Sequence, residues 1–200
     1  MSTVREHRYT TQDGLSLYYR SYGDPLAAKT PVLCLPGLAR NSKDFHRPAE
    51  RLCGERWVIC PDYRGRGRSD YDPDSDNYQP ATYLGDLRHL LAAVGMHHAV
   101  VIGTSMGGLI ACAMGAAMPG ALAGVVLNDI GPDIGDDGLS RIMSYLSKDN
   151  PQPDWDSAVR AFKHLLPNLS LRTEEDWRAA TEATWIEGDD GMLHYDWDLQ

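Results

Sequence analysis

"VIGTSMGGLIACAMG", from Val101 to Gly115, carries an apolar strand into a helix through a knot of small residues, with Ser105 at the crest. Gly103-Thr104-Ser105-Met106-Gly107 fits the pattern G-x-S-x-G. A chain that turns this sharply leaves its serine in a strained conformation with the hydroxyl exposed. Glycines two before and two after the serine remove Cβ atoms that would collide in the turn. Gly108 lets the new helix lie close to its neighbours. The start of that helix also favours negative charge developing nearby. Five residues alone would equally suit an incidental serine in a glycine-rich turn. The flanks, "AVVI" before and "LIACAMGAAM" after, supply the strand–turn–helix context that a nucleophilic serine of this kind needs.

The same form recurs on both sides. "PVLCLPG" (31–37), "RWVICPD" (56–62) and "AGVVLND" (123–129) are short, nearly continuous apolar runs. Such runs imply burial on both faces, hence a parallel sheet. "RYTTQDGLSLYYRSYG" (8–23) instead alternates polar with apolar around Asp13-Gly14, which signals an antiparallel hairpin. Residues 81–94 put Leu84, Leu87, Leu91 and Val94 on one helical face, with Gly95 as the stop, and residues 106–118 read as a helix packed against the sheet. This is α/β alternation with right-handed crossovers. Past Asp129 the texture changes. "IGPDIGDDG" is a turn-rich linker. Three amphipathic stretches follow, at 139–147, 155–166 (Trp155, Val159, Phe162, Leu166) and 174–186 (Trp177, Thr181, Trp185), read as helices of a separate layer. The expected organisation is a core over 1–132 and a helical cap over 133–200.

Composition bounds the partners. Two hundred residues, 42% of them apolar, make a core for one domain with a small insertion. A formal charge of −9 argues against nucleic acid and anionic membrane surfaces, which both want a basic face. The four cysteines have neither metal nor C-x-x-C spacing, and Cys34, Cys60 and Cys112 lie in apolar runs as small core hydrophobes. The N-terminal stretch has no apolar signal region and no run is long enough to span a membrane. The expectation is a cytoplasmic protein with a small-molecule substrate, no nucleic acid and no membrane.

Four motifs in order now resemble the α/β-hydrolase family. "LPGLARN" (35–41) looks like its oxyanion loop after the third strand, and "PDYRGRGRSD" (61–70) like the segment after the fourth. "GTSMGG" (103–108) looks like the nucleophile elbow after the fifth, and "VVLNDIGP" (125–132) like the sixth strand leading into a cap. Pro36 stands where many members have His, which changes side-chain contacts but not backbone donors. The resemblance implies a mostly parallel α/β-hydrolase sheet with an N-terminal antiparallel hairpin and a helical cap. It implies that Ser105 is the nucleophile. It also implies that the backbone N–H groups of Met106 and Leu38 stabilise the oxyanion, each worth roughly 3–4 kcal/mol of barrier. No metal or organic cofactor is implied. Asp62 and the arginines of "YRGRGRSD" read as a turn braced by ion pairs rather than as a catalytic cluster.

A serine hydroxyl needs a base, and in this family the order is serine, acid, histidine. Only His164 and His194 follow Ser105, and neither follows a strand. His46 precedes the serine and is out of order. The acid normally follows a seventh strand. Asp129, at the end of the sixth, is either the alternative acid or a residue that ends the strand and shapes the entry to the cap. Strand counting agrees: about six are found where the family needs about eight, so the last two are absent. The expectation is the N-terminal part of a hydrolase of about 270–300 residues, the alternative being a naturally short chain whose edge a partner chain covers. The strand "GVVLND" is then an apolar, uncovered edge open to self-association. The chemistry expected is acyl transfer to Ser105 from a carboxylic ester, lactone, thioester or β-diketone C–C bond. Two alternatives stay open: a non-catalytic ligand-binding relative, and a cofactor-free perhydrolase sharing the triad.

Overall fold

Alternation around Asp13-Gly14 folds as a hairpin. β1 (Arg5–Thr10) and β2 (Ser16–Tyr22) pair antiparallel, with Gly14 at φ +92° in the turn. The structure is a computed structural model that describes residues 4–131, 146, 148–167 and 169–199. The apolar runs become β3 (Lys29–Leu35), β4 (Arg56–Pro61), β5 (Ala99–Thr104) and β6 (Leu122–Asn128). Together they form a six-stranded sheet in the order β1-β2-β4-β3-β5-β6. β2 pairs with β4 antiparallel, and β4, β3, β5 and β6 run parallel. The helices between them are α1 (His46–Leu52), α2 (Pro80–Val94) and α3 (Met106–Ala117).

Alternate residues of the central strands sort onto opposite faces, as the strand period of two requires. Leu33, Leu35, Ile59 and Val101 pack with Leu87, Leu90, Ile110 and Met114. Val32, Cys34, Val58 and Cys60 pack with Tyr22, Phe45 and Ala49 on the other face. Each such leucine or valine taken out of water stabilises the fold by roughly 1.5–3 kcal/mol. α2 starts with Pro80 and stops at Gly95, whose φ of +70° only glycine adopts cheaply. Its buried apolar face is Tyr83, Leu87, Leu90 and Leu91; Leu84 and Val94, expected on the face, are its half-buried margins.

Two apolar segments depart from the expected burial. Val125, Val126 and Leu127 of β6 are 40%, 49% and 48% exposed, because β6 is the edge of the described sheet, paired only with β5 and packed only in part by α3. Cys112 is exposed rather than a core residue. The helical period sends Ile110, Ala111 and Met114 inward and leaves Leu109 and Cys112, three apart, facing outward.

The chain divides into two compact units, Met1–Ile134 and Gly135–Gln200. In the second, α4 (Trp155–Leu165) is capped by Asp154 and α5 (Glu174–Glu182) by a reciprocal box between Thr173 and Asp176. The helix expected over 139–147 lies outside the described residues except for Leu146, which is helical and buried. The one expected over 174–186 is shorter. It ends at Glu182, and Trp185 opens a hairpin of β7 (Trp185–Glu187) and β8 (Leu193–Tyr195). Thr184-Trp185-Ile186 is rich in strand-forming side chains, but three residues are too few to show a period of two. Phe162, Trp185, Tyr195 and Trp197 are buried against one another as this unit's own core, with ring centroids 4.1–5.8 Å apart. Among the described residues, no helix is long and apolar enough to cross a membrane.

Candidate active site

The strand β5 ends and α3 begins at one residue. Ser105 sits between them at φ +51°, ψ −118°, a conformation that costs an L-residue roughly 1–3 kcal/mol and persists only where its surroundings enforce it. The glycines do the enforcing. A Cβ on Gly103 would come within 2.6 Å of the Gly108 nitrogen, and one on Gly107 within 2.7 Å of the Pro36 carbonyl oxygen. One on Gly108 would strike Ile130 at 2.6 Å. So the serine turn, β3 and the chain leaving β6 meet at backbone contact distance. The Ser105 N–H donates to the Asn128 carbonyl at 3.0 Å, and the Asn128 side chain donates to Thr104 Oγ1 at 3.2 Å.

Gly37 is the neighbour on the other side. A Cβ placed on it would lie 3.7 Å from Ser105 Cβ. The Gly37 carbonyl accepts the Arg40 N–H at 3.2 Å, which closes a tight turn and directs the Leu38 N–H of the same peptide group the opposite way. Neither the Leu38 N–H nor the Met106 N–H meets an acceptor among the described residues. Met106 is the first residue of α3, where a helix has no internal acceptor to offer. Asp129 stands at φ +53° directly after β6 and is exposed. It therefore shares the chain segment that holds Ser105, but no described contact joins the two side chains.

No histidine hydrogen-bonds Ser105 Oγ among the described residues. His46 is held by Tyr22, whose hydroxyl is 3.1 Å from its Nδ1. His164 is exposed on α4. His194 has Asp149 2.5 Å from Nδ1 and Asp190 3.1 Å from Nε2. Those hydrogen bonds, Asp149's first, raise its pKa.

The "YRGRGRSD" turn is a splice, as its ion-pair reading requires. Arg64, 1% exposed, binds Asp13, Asp72 and Asp86 at 2.8, 2.5 and 2.6 Å. Buried Asp62 accepts the Ser42 and Arg68 N–H groups at 2.6 and 2.9 Å, and burial raises its pKa. A cavity of about 420 Å³ beside this cluster is lined by Asp13, Arg64, Asp86 and His89 and by none of the candidates Leu38, Ser105, Met106 and Asp129. Two contributors are invisible in the sequence alone, which marks Asn128 only as a strand end and Arg66 only as part of the braced turn. No local pattern singles out either one, since Asn128 meets Thr104 and Ser105 and Arg66 meets Leu38 more than twenty residues away along the chain.

Comparison with known proteins bears on the family and the fold. The family model described as alpha/beta hydrolase fold matches residues 30–187. A 3-hydroxybutyrate-oligomer hydrolase of Cupriavidus necator is 32% identical over 183 residues, which are 89% of this chain and 62% of that protein. A monoacylglycerol lipase of Mycolicibacterium smegmatis is 28% identical over 74% of this chain and 54% of its own length. The chain thus spans less than two thirds of either curated relative. A solved alpha/beta hydrolase from Novosphingobium aromaticivorans superposes on all of this chain and 70% of its own, with a TM-score of 0.91 and 40% identity. Matched over most of its length in sequence and throughout in structure, the chain belongs to the α/β-hydrolase family.

Proposed function

We propose that this chain carries the nucleophile and oxyanion donors of a serine hydrolase that acts on a small carboxylic ester through an acyl-enzyme at Ser105. The observation that carries the reading is the strained Ser105, held at φ +51° beside Gly37 with the Leu38 and Met106 N–H groups unengaged among the described residues. In the proposed reaction Ser105 Oγ bonds to the acyl carbon and its proton passes to a base. The two N–H groups meet the developing oxyanion, the alcohol leaves, and water later releases the acid. The base is proposed to come from outside the described residues. Asp129 is proposed as the acid that orients it. Among the ester, lactone, thioester and C–C substrates the family handles, the names of the two curated relatives favour esters. The test is turnover, by the whole protein, of a 3-hydroxybutyrate dimer beside its amide analogue. Ester hydrolysis that vanishes in Ser105→Ala supports the reading, and equal turnover by the two proteins refutes it.

A second reading has an observation in its favour, because no described histidine reaches Ser105. The protein would then be a ligand-binding relative. A ligand that saturates the protein at one equivalent, with no product formed, would select it.

The open β6 edge leads to a further proposal, self-association of this 200-residue chain. Sedimentation should show mass rising with concentration, and Val126→Lys, which puts a charge on the edge strand, should return the chain to monomer. A monomer at all concentrations would contradict it.

A further inference from the structure

Two arginines of "YRGRGRSD" lie two residues apart and are both buried, yet their surroundings differ. Arg64 meets three carboxylates. Arg66, 6% exposed, meets none among the described residues. Its Nε donates to the Leu38 carbonyl at 2.7 Å and its Nη1 to the Gly65 carbonyl at 2.8 Å. Its guanidinium carbon lies 5.4 Å from the centre of the Tyr78 ring. A buried cation that meets only neutral partners among the described residues is a costly way to brace a turn, because its desolvation is not offset there by a carboxylate. A neutral side chain would pack there at less cost. The feature that sets Arg66 apart is what it holds.

Leu38 is the residue whose N–H faces away from the closed Gly37–Arg40 turn. Residues 36–41 belong to neither helix nor strand. The Gly37–Arg40 bond sets the direction of the Leu38 N–H within the turn. It does not fix the turn as a body against Ser105. Backbone contact of Gly107 with Pro36 and the Ser42–Asp62 bond hold its two flanks, and the guanidinium adds the tie to Leu38 itself: Nε binds the Leu38 carbonyl while Nη1 binds the Gly65 carbonyl of its own loop. Resting on the Ser105 reading above, we infer that Arg66 is a positioning residue: it clamps the oxyanion loop so that the Leu38 N–H stays on the acyl oxygen as charge develops. It touches no reacting atom.

The clamp predicts a loss in the chemical step rather than in binding. The test reads covalent modification of Ser105 by an alkyl fluorophosphonate, with added imidazole as the base. The Ser105 Oγ–P bond forms, the P–F bond breaks, fluoride leaves and imidazole takes the proton. Ser105→Ala is the control. Arg66→Leu should lower the maximal labelling rate about tenfold to hundredfold, with the half-saturating concentration unchanged within about twofold. Arg66→Lys, which keeps the charge and can reach one carbonyl, should slow it only about threefold. The clamp is overturned if Arg66→Leu labels at the wild-type rate while Ser105→Ala takes no label. It is equally overturned if the whole loss lies in the half-saturating concentration. Should Arg66→Leu not fold, Arg66→Lys decides alone: a wild-type rate overturns the clamp and a threefold slowing supports it. If wild type takes no label, or Ser105→Ala takes as much, the nucleophile reading itself falls and the clamp with it.

Discussion

Arg64→Leu should destabilise the first unit by about 3–5 kcal/mol, read as a fall in the urea midpoint. The magnitude follows from what the substitution leaves behind. Asp72 and Asp86 have side chains only 4% and 6% exposed, and Arg64 is the cation they share. Without it, two carboxylates must stay charged in a poor solvent or take up protons. The double variant Arg64→Leu with Asp86→Leu should recover at least ~1 kcal/mol of the loss, because one stranded charge goes with it. Asp13 adds a pH signature. The Arg64 hydrogen bond lowers its pKa from 3.8 to about 2. A carboxyl lowered on folding contributes stability above its unfolded pKa and loses it as pH falls through the folded one. Wild type should therefore lose more stability than Asp13→Asn between pH values of about 4 and about 2. Parallel acid curves for the two would show that the Asp13–Arg64 pair contributes nothing.

Ser105 should separate stability from activity. In the whole protein Ser105→Ala should cost about 10⁶ in kcat, the scale on which loss of a serine nucleophile acts. Stability should stay within about 0.5 kcal/mol, since alanine keeps the Cβ and hence the strain at φ +51°. Ser105→Gly should be equally inactive yet more stable by about 0.5–1 kcal/mol, because glycine takes positive φ freely and its greater unfolded entropy offsets only part of the relief. A lower melting temperature for Ser105→Gly than for Ser105→Ala would contradict the strained elbow.

How far the sequence could be read depends on the range of the forces involved. The core strands were legible because β3 and β4 are buried on both faces and their apolar runs are unbroken. The serine turn was legible because its glycines answer to backbone contacts that no side chain survives. β7 and β8 were not, since three residues cannot display a period. Cys112 was misplaced because an apolar run does not say which side of a helix faces the sheet. Of the candidate site, Ser105, Leu38 and Met106 were proposed from local pattern and family likeness, and the structure brings the Leu38 turn beside Ser105. Arg66 was not legible, because its meaning lies in a bond to a carbonyl 28 residues away.

The most direct measurement is a mass spectrum of this chain after a pulse of an activated acyl ester with imidazole present, beside Ser105→Ala. The account predicts one acyl group, mapped to the peptide that holds Ser105 and missing from the alanine variant. Acylation elsewhere, or equal acylation of both proteins, would contradict the claim that Ser105 is the nucleophile.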